Sequence, residues 1–363
     1  MIFPERYLQA VLIAVVVSLA VPGCASRKPD VVGGSANRPL YFPPEPDEPR
    51  VQFLRHISGS RDVKDAPGAL ATFLLGEDVD NPEFVAKPFG VAVCRGKIFA
   101  CDTKKAEVAV FDIASRQFSK FGTKGPGRLQ KPINIRIDPE GRICVCDMLR
   151  KQVVVFDHSG EYITAYGKEG EFSPSDFIIT KDTLFVLDGR EHCIKVYDLN
   201  TRELKRTIGK RGDQPGEFNF PSNMTMDESG NIYVSDTVNF RVQKLTQEGK
   251  PLMVFGEAGQ TPGHLARPKG IAVDRNGIIY VVDALMHVVQ LFDQEGQPLM
   301  HIGEAGVEPG QLGLPAQIAI DYDNLDLFRE YIAPDFDAQY LIFVTNQLGK
   351  NKISVFAFGE RRK

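Results

Sequence analysis

PSNMTMDESGNIYVSDTVNFRVQKL, residues 221–245, decides the fold. It opens on a proline and continues as a short alternating strand to Met226. The turn DESG follows, with Gly230 where a positive φ costs little. A second strand, IYVSD, ends on Asp236, and after a loop comes a third strand, RVQKL. A weaker fourth strand closes at Gly256.

The same unit recurs on both sides. The prolines in register are Pro88, Pro132, Pro174, Pro221, Pro268 and Pro315, separated by 44, 42, 47, 47 and 47 residues. Second strands end on Asp102, Asp147, Asp188, Asp236 and Asp283, with Asn346 in the sixth copy. One four-stranded sheet cannot cover both of its faces, whereas a ring of such sheets buries each against its neighbours. The spacing therefore predicts an all-β fold, a six-bladed β-propeller of four-stranded antiparallel blades. The sixth copy has three strands, near QIAID, YLIFVTN and KISVFAF, and lacks a fourth. VQFLRHISG near the N-terminus is similar to PLMHIGEAG, the fourth strand of the fifth copy. Residues 51–57 are thus expected to close the last blade, which removes an exposed edge.

DTVNFRVQKL, from Asp236 to Leu245, closely resembles the NHL-repeat signature of Asp, Asn, Arg and a following apolar strand. The resemblance spans about residues 87–358 and is weakest in the third copy, where DGREHCIKVYD stands in. It implies a six-bladed propeller and gives Arg241 a partly structural role.

The N-terminus is read apart from the fold. Arg6 precedes the apolar run AVLIAVVVSLAV, which ends at VPGC. The run is shorter than the roughly 20 residues a spanning helix needs. It is similar to a bacterial lipoprotein signal, with Cys24 as the lipidated residue; Val21 and Pro22 depart from the usual pattern. This gives a signal peptide over 1–23, a Pro- and Gly-rich flexible tether over 24–50, and the propeller over 51–363. The localisation expected is the cell envelope, as a periplasmic or cell-surface lipoprotein held to the membrane through lipid on Cys24. A formal charge of −4 supplies no basic stripe, so no nucleic acid is expected. Two insertions, 62–85 and 324–339, are not required for ring closure and are candidates for function. The middle of the first reads as a short helix.

In a propeller the first strand of each blade lines the central channel. The residues just after the register prolines then ring one mouth. This channel-mouth set includes Asn134, Asp176, Asn223, Lys269 and Gln317. Asn134, Asp176 and Asn223 offer oxygens of the type hard cations prefer, which makes them candidate ligands for Ca2+, as in calcium-dependent lactonases of this architecture; no other cofactor is expected. The loops between second and third strands on the same face carry apolar residues where solvent is expected. Met148, Leu149, Val238, Phe240, Leu285, Met286 and Leu348 would form an exposed ring beside Arg150 and His287, a pattern that points to protein binding. His192 and His287 sit in these loops in different registers, and no histidine follows a register proline, which argues against the zinc chemistry of the amidating lyases. The five cysteines after Cys24 read as small buried hydrophobes, with a disulfide between neighbouring blades the alternative. The function expected is an extracytoplasmic scaffold or accessory subunit that binds another extracytoplasmic protein or a glycan. The alternative is a metal-dependent hydrolase or lyase at the channel mouth.

Overall fold

A computed structural model describes residues 38–64, 82–168 and 170–362. Six sheets form, and the five central ones each contain four strands consecutive in sequence. Blade 4 is the unit quoted above: Pro221–Met226, Ile232–Asp236, Arg241–Leu245 and Pro251–Phe255. Its second strand is buried from end to end, as a strand covered on both faces must be. The fourth strands alternate or lie exposed, as at Leu204–Ile208, because they form the outer rim.

Six apolar clusters join neighbouring blades, one at each seam. Phe121 of blade 1 packs edge-on against Phe156 of blade 2 at 4.8 Å, and Phe255 of blade 4 meets Phe292 of blade 5 at 4.9 Å. The turn glycines beside them, Gly160 and Gly296, have positive φ, and a Cβ there would lie within 3 Å of Phe121 or Phe255. Each fully buried Phe contributes about 1.5–3 kcal/mol, so the seams hold the ring together.

The sixth blade closes as expected and then goes further. Val51–Ile57 pairs antiparallel with Ile353–Arg361, with Val51 opposite Phe358 and Ile57 opposite Ile353. Outside it, Leu40–Phe42 adds a fifth strand. The folded part thus begins inside the stretch read as tether, a correction to the 24–50 boundary. Its cause is apolar: Tyr41 packs at a tilt on Phe336 and Phe42 packs edge-on against Phe356, burial that a free tether would forgo. Residues 1–23 and Cys24 lie outside the described residues, as does the helix expected in the middle of the first insertion.

The second insertion serves the ring. Leu325–Tyr331 forms a 3-10 helix whose Phe328 is buried in the seam between blades 6 and 1. Asn324 accepts the Gly96 N–H from blade 1 at 2.8 Å. Arg55 of the closing strand bonds the Tyr331 hydroxyl at 2.6 Å. The segment read as a functional candidate is therefore glue across the closure seam. Among the described residues no helix is long and apolar enough to cross a membrane.

Candidate functional site

The first strands start, and the loops between second and third strands project, on one face, here called the top. The strand-ending acids organise it. Asp102 accepts N–H bonds from Ala86 and Lys87 in the incoming loop and from Lys104 and Lys105 in the next turn. Asp147 and Asp283 repeat the clamp. All are fully buried. Asp236 adds the NHL ion pair, with Arg241 Nε at 2.9 Å. Blade 3 lacks that arginine, and Lys195 reaches Asp188 instead, at 3.0 Å. In blade 6, Asn346 accepts the Gly313 N–H. Carboxylates accepting several N–H bonds are structural clamps, and they fix five turns in one conformation. The last residue of each turn has positive φ: Ala106, Lys151, His192, Phe240 and His287.

His192 and His287 therefore occupy one register, which corrects the sequence reading. They also share a role. His192 Nδ1 accepts the Phe220 N–H at 2.9 Å, and His287 Nδ1 accepts the Leu314 N–H at 3.0 Å. Each ties its turn to the next blade's incoming loop. Burial lowers the His192 pKa, in keeping with a neutral acceptor.

The second residues after the register prolines face the axis. Gln317 Nε2 donates to Asn134 Oδ1 at 2.8 Å across the channel. The Asn223 amide satisfies its surroundings in one orientation, in which its oxygen accepts from Asn134 Nδ2 at 2.8 Å and Gln317 Nε2 at 2.9 Å. Amides from blades 2, 4 and 6 thus close the channel as a plug. Blades 1 and 5 contribute Gly90 and Gly270, where a Cβ would lie 2.7 Å from Asn134 Cα and 2.5 Å from Gln317 Oε1. Blade 3 contributes Asp176, fully buried and bonded to Arg136 Nη2 at 2.9 Å and to the Met224 N–H at 2.9 Å. Burial raises the Asp176 pKa, while Arg136 opposes the rise.

Asn134, Asp176 and Asn223 consequently share no oxygen cage. Their oxygens are spent on one another and on neighbouring donors, and the Arg136 guanidinium engages Asp176 Oδ2. Among the described residues no cluster of three or more His, Cys, Asp or Glu is placed to hold a metal. Arg136 was missed in the sequence, although PINIRI holds an arginine where the other first strands have Ala, Ile or Thr.

The loop tips fall on the top face. Leu149, Leu285 and Leu348 are 59%, 56% and 55% exposed, and Val238 and Phe240 are exposed as well. Phe220, which the sequence reading did not pick out, joins them at 52%. Met148 and Met286 are only partly exposed, and Met148 packs on the seam of blades 2 and 3. Arg150 is committed to the fold: it donates to the Pro126 and Arg128 carbonyls and to Gln152. The five cysteines carry no disulfide, and four are buried.

Lys269 stands apart in the mouth. It belongs to the ring of first residues after the prolines: Phe89, Ile133, Ser175, Ser222, Lys269 and Ala316. Both serine hydroxyls bond backbone carbonyls. Lys269 Nζ lies 5.1 Å from the centre of the Phe89 ring and makes no hydrogen bond or ion pair among the described residues. Burial, with Arg267 and Lys87 adding like charge, lowers its pKa to about 8.

Residues 96–208 match the family described as 6-bladed beta-propeller, and residues 218–245 match the NHL repeat. Solved structures share the fold at low identity. A structural genomics protein of unknown function from Bacteroides thetaiotaomicron aligns with a TM-score of 0.55 and 17% identity, over 85% of this chain and 75% of that one. XC5397 from Xanthomonas campestris, described as a gluconolactonase, aligns with a TM-score of 0.54 and 14% identity over 76% and 86%. Virginiamycin B lyase from Staphylococcus aureus, an inactive form with quinupristin, aligns with a TM-score of 0.52 and 12% identity over 76% and 96%. The chain is a six-bladed β-propeller. Its fourth blade carries an NHL repeat, with the Asp236–Arg241 pair at its centre.

Proposed function

We propose that this propeller is an extracytoplasmic, lipid-anchored scaffold or accessory subunit that docks another extracytoplasmic protein, or a glycan, on its top face. Residues 1–23 would export it, Cys24 would carry the lipid, and it would work at the membrane surface, periplasmic or cell-surface. The observation that carries the reading is the set of exposed apolar tips, Leu149, Phe220, Val238, Phe240, Leu285 and Leu348, gathered on one face. Soluble proteins seldom leave such patches uncovered without a use for them. The clamps beneath hold the tips in place, so little ordering entropy would be lost on docking. A metal-dependent hydrolase or lyase at the mouth, the alternative, would have to draw Asp176 away from Arg136.

The test is crosslinking in native membranes with the full-length chain and a Phe240→Asp, Leu285→Asp double variant. One defined partner should be captured by the parent and reduced at least about tenfold by the variant, as expected when interface anchors are removed. Equal capture by both proteins would sink the docking reading.

A further inference from the structure

The plug and the mouth ring differ in one respect that bears on the partner. Below, the amides of Asn134, Asn223 and Gln317 and the carboxylate of Asp176 have hydrogen bonds. In the mouth ring only Lys269 lacks them. Lys269 is half-buried, with its ammonium over the face of Phe89. The charged groups that bear on it, Arg267 from its own incoming loop and Lys87 from that of blade 1, carry the same sign. Ile133 and Ala316 are buried, apolar members of the ring. A half-buried ammonium beside two like charges and without a counter-ion is costly, and a fold that keeps one at the mouth of its channel leaves room for an anion from outside.

We infer that the top mouth of the channel is a carboxylate site centred on Lys269, and that the docking partner fills it with an acidic side chain or a C-terminal carboxylate set among apolar residues. This rests on the docking reading above and names the chemistry of the partner. The apolar tips around the mouth suit the apolar surroundings of that carboxylate. A single point-charge ammonium suits one carboxylate, whereas a phosphate group is better held by guanidinium forks. Pairing in a partly desolvated mouth also gains more than it would in water. The bond is charge-assisted, so it requires the protonated amine. Binding should hold below the Lys269 midpoint near pH 8 and weaken about tenfold per pH unit above it.

The experiment uses the full-length protein with lysines labelled by 13C reductive methylation, acetate as probe, and Lys269→Gln to assign the signal. The Lys269 resonance should titrate near pH 8, and saturating acetate should raise its midpoint by a pH unit or more. A midpoint that acetate does not move overturns the inference, whatever the crosslinking finds. A larger rise with inorganic phosphate at equal concentration also overturns it, in favour of a phosphate ligand. Lys269→Gln should lower partner capture as strongly as the loop variant does. Capture that survives Lys269→Gln but fails with Phe240→Asp, Leu285→Asp leaves docking in place and removes the carboxylate. An acetate shift with capture equal in parent and loop variant keeps the carboxylate site and removes the docking reading.

Discussion

The plug and the loop tips lie on the same side of the propeller and invert the usual rule of burial. Asn134, Asp176, Asn223 and Gln317 are polar and at most 5% exposed; Leu149, Leu285 and Leu348 are apolar and more than half exposed. The plug can be buried because its groups satisfy one another across the axis, and buried polar groups are tolerated once paired. The tips are exposed because short turns, fixed by buried carboxylates or, in blade 6, by the Asn346 amide, project beyond the seams. Hydropathy alone would have exchanged the two sets. Geometry decides, since only residues on the axis meet partners from opposite blades.

The contrast can be broken most forcefully at the plug. Asp176→Ala takes the carboxylate from the half-buried Arg136 and leaves the Met224 N–H unpaired, and should cost about 1–3 kcal/mol in urea unfolding. A loss under about 1 kcal/mol would mean that water or the Met224 carbonyl already satisfies the guanidinium. Between plug and tips stands Lys269, and removing it should help the fold. Its pKa falls from an ordinary 10.5 to about 8. Below pH 8 both states are protonated and the folded state bears the full cost of desolvation and of the like charges beside it. Between about 8 and 10.5 the folded protein releases its proton first, so parent stability rises with pH. Above 10.5 the cost is gone. Lys269→Gln should therefore be more stable than the parent by roughly 1–3 kcal/mol at pH 7, with the gain disappearing by pH 10.5. A pH-independent difference would point to packing instead of charge. The smallest change is expected at the rim: Leu285→Ser should shift stability by no more than about 0.5 kcal/mol, in the same unfolding assay. A larger loss would show that the tip is part of the seam.

Some of this was legible in the chain and some was not. The register prolines and strand-ending acids lie at fixed spacing, so six blades and the closing strand at 51–57 could be counted without a structure. The exposed tips were legible too, because DMLRKQ, DTVNFRVQ, DALMHVVQ and NQLGKNK place apolar residues in turns. Other features were misjudged where long-range partners decide. Arg150 looked available and is bound to the carbonyls of the preceding loop. His192 and His287 looked unrelated, and a shared left-handed turn position makes them equivalent. The strand at Leu40–Phe42 has no repeat to announce it, and it forms because blade 6 offers a free edge.

The sequence by itself determined the repeat, its number, the positions of its turns and the way its ends meet. Those are local or periodic properties, written in residue type and spacing. The tertiary structure alone decided which polar groups are consumed and which remain open. Asn134, Asn223 and Gln317 come from alternate blades and find one another only when the ring closes. Asp176 is held by Arg136 from the neighbouring blade, and Lys269 is left without a counter-ion. Hydrogen bonding and desolvation depend on distances between residues far apart in the chain, and those distances exist only in the folded ring.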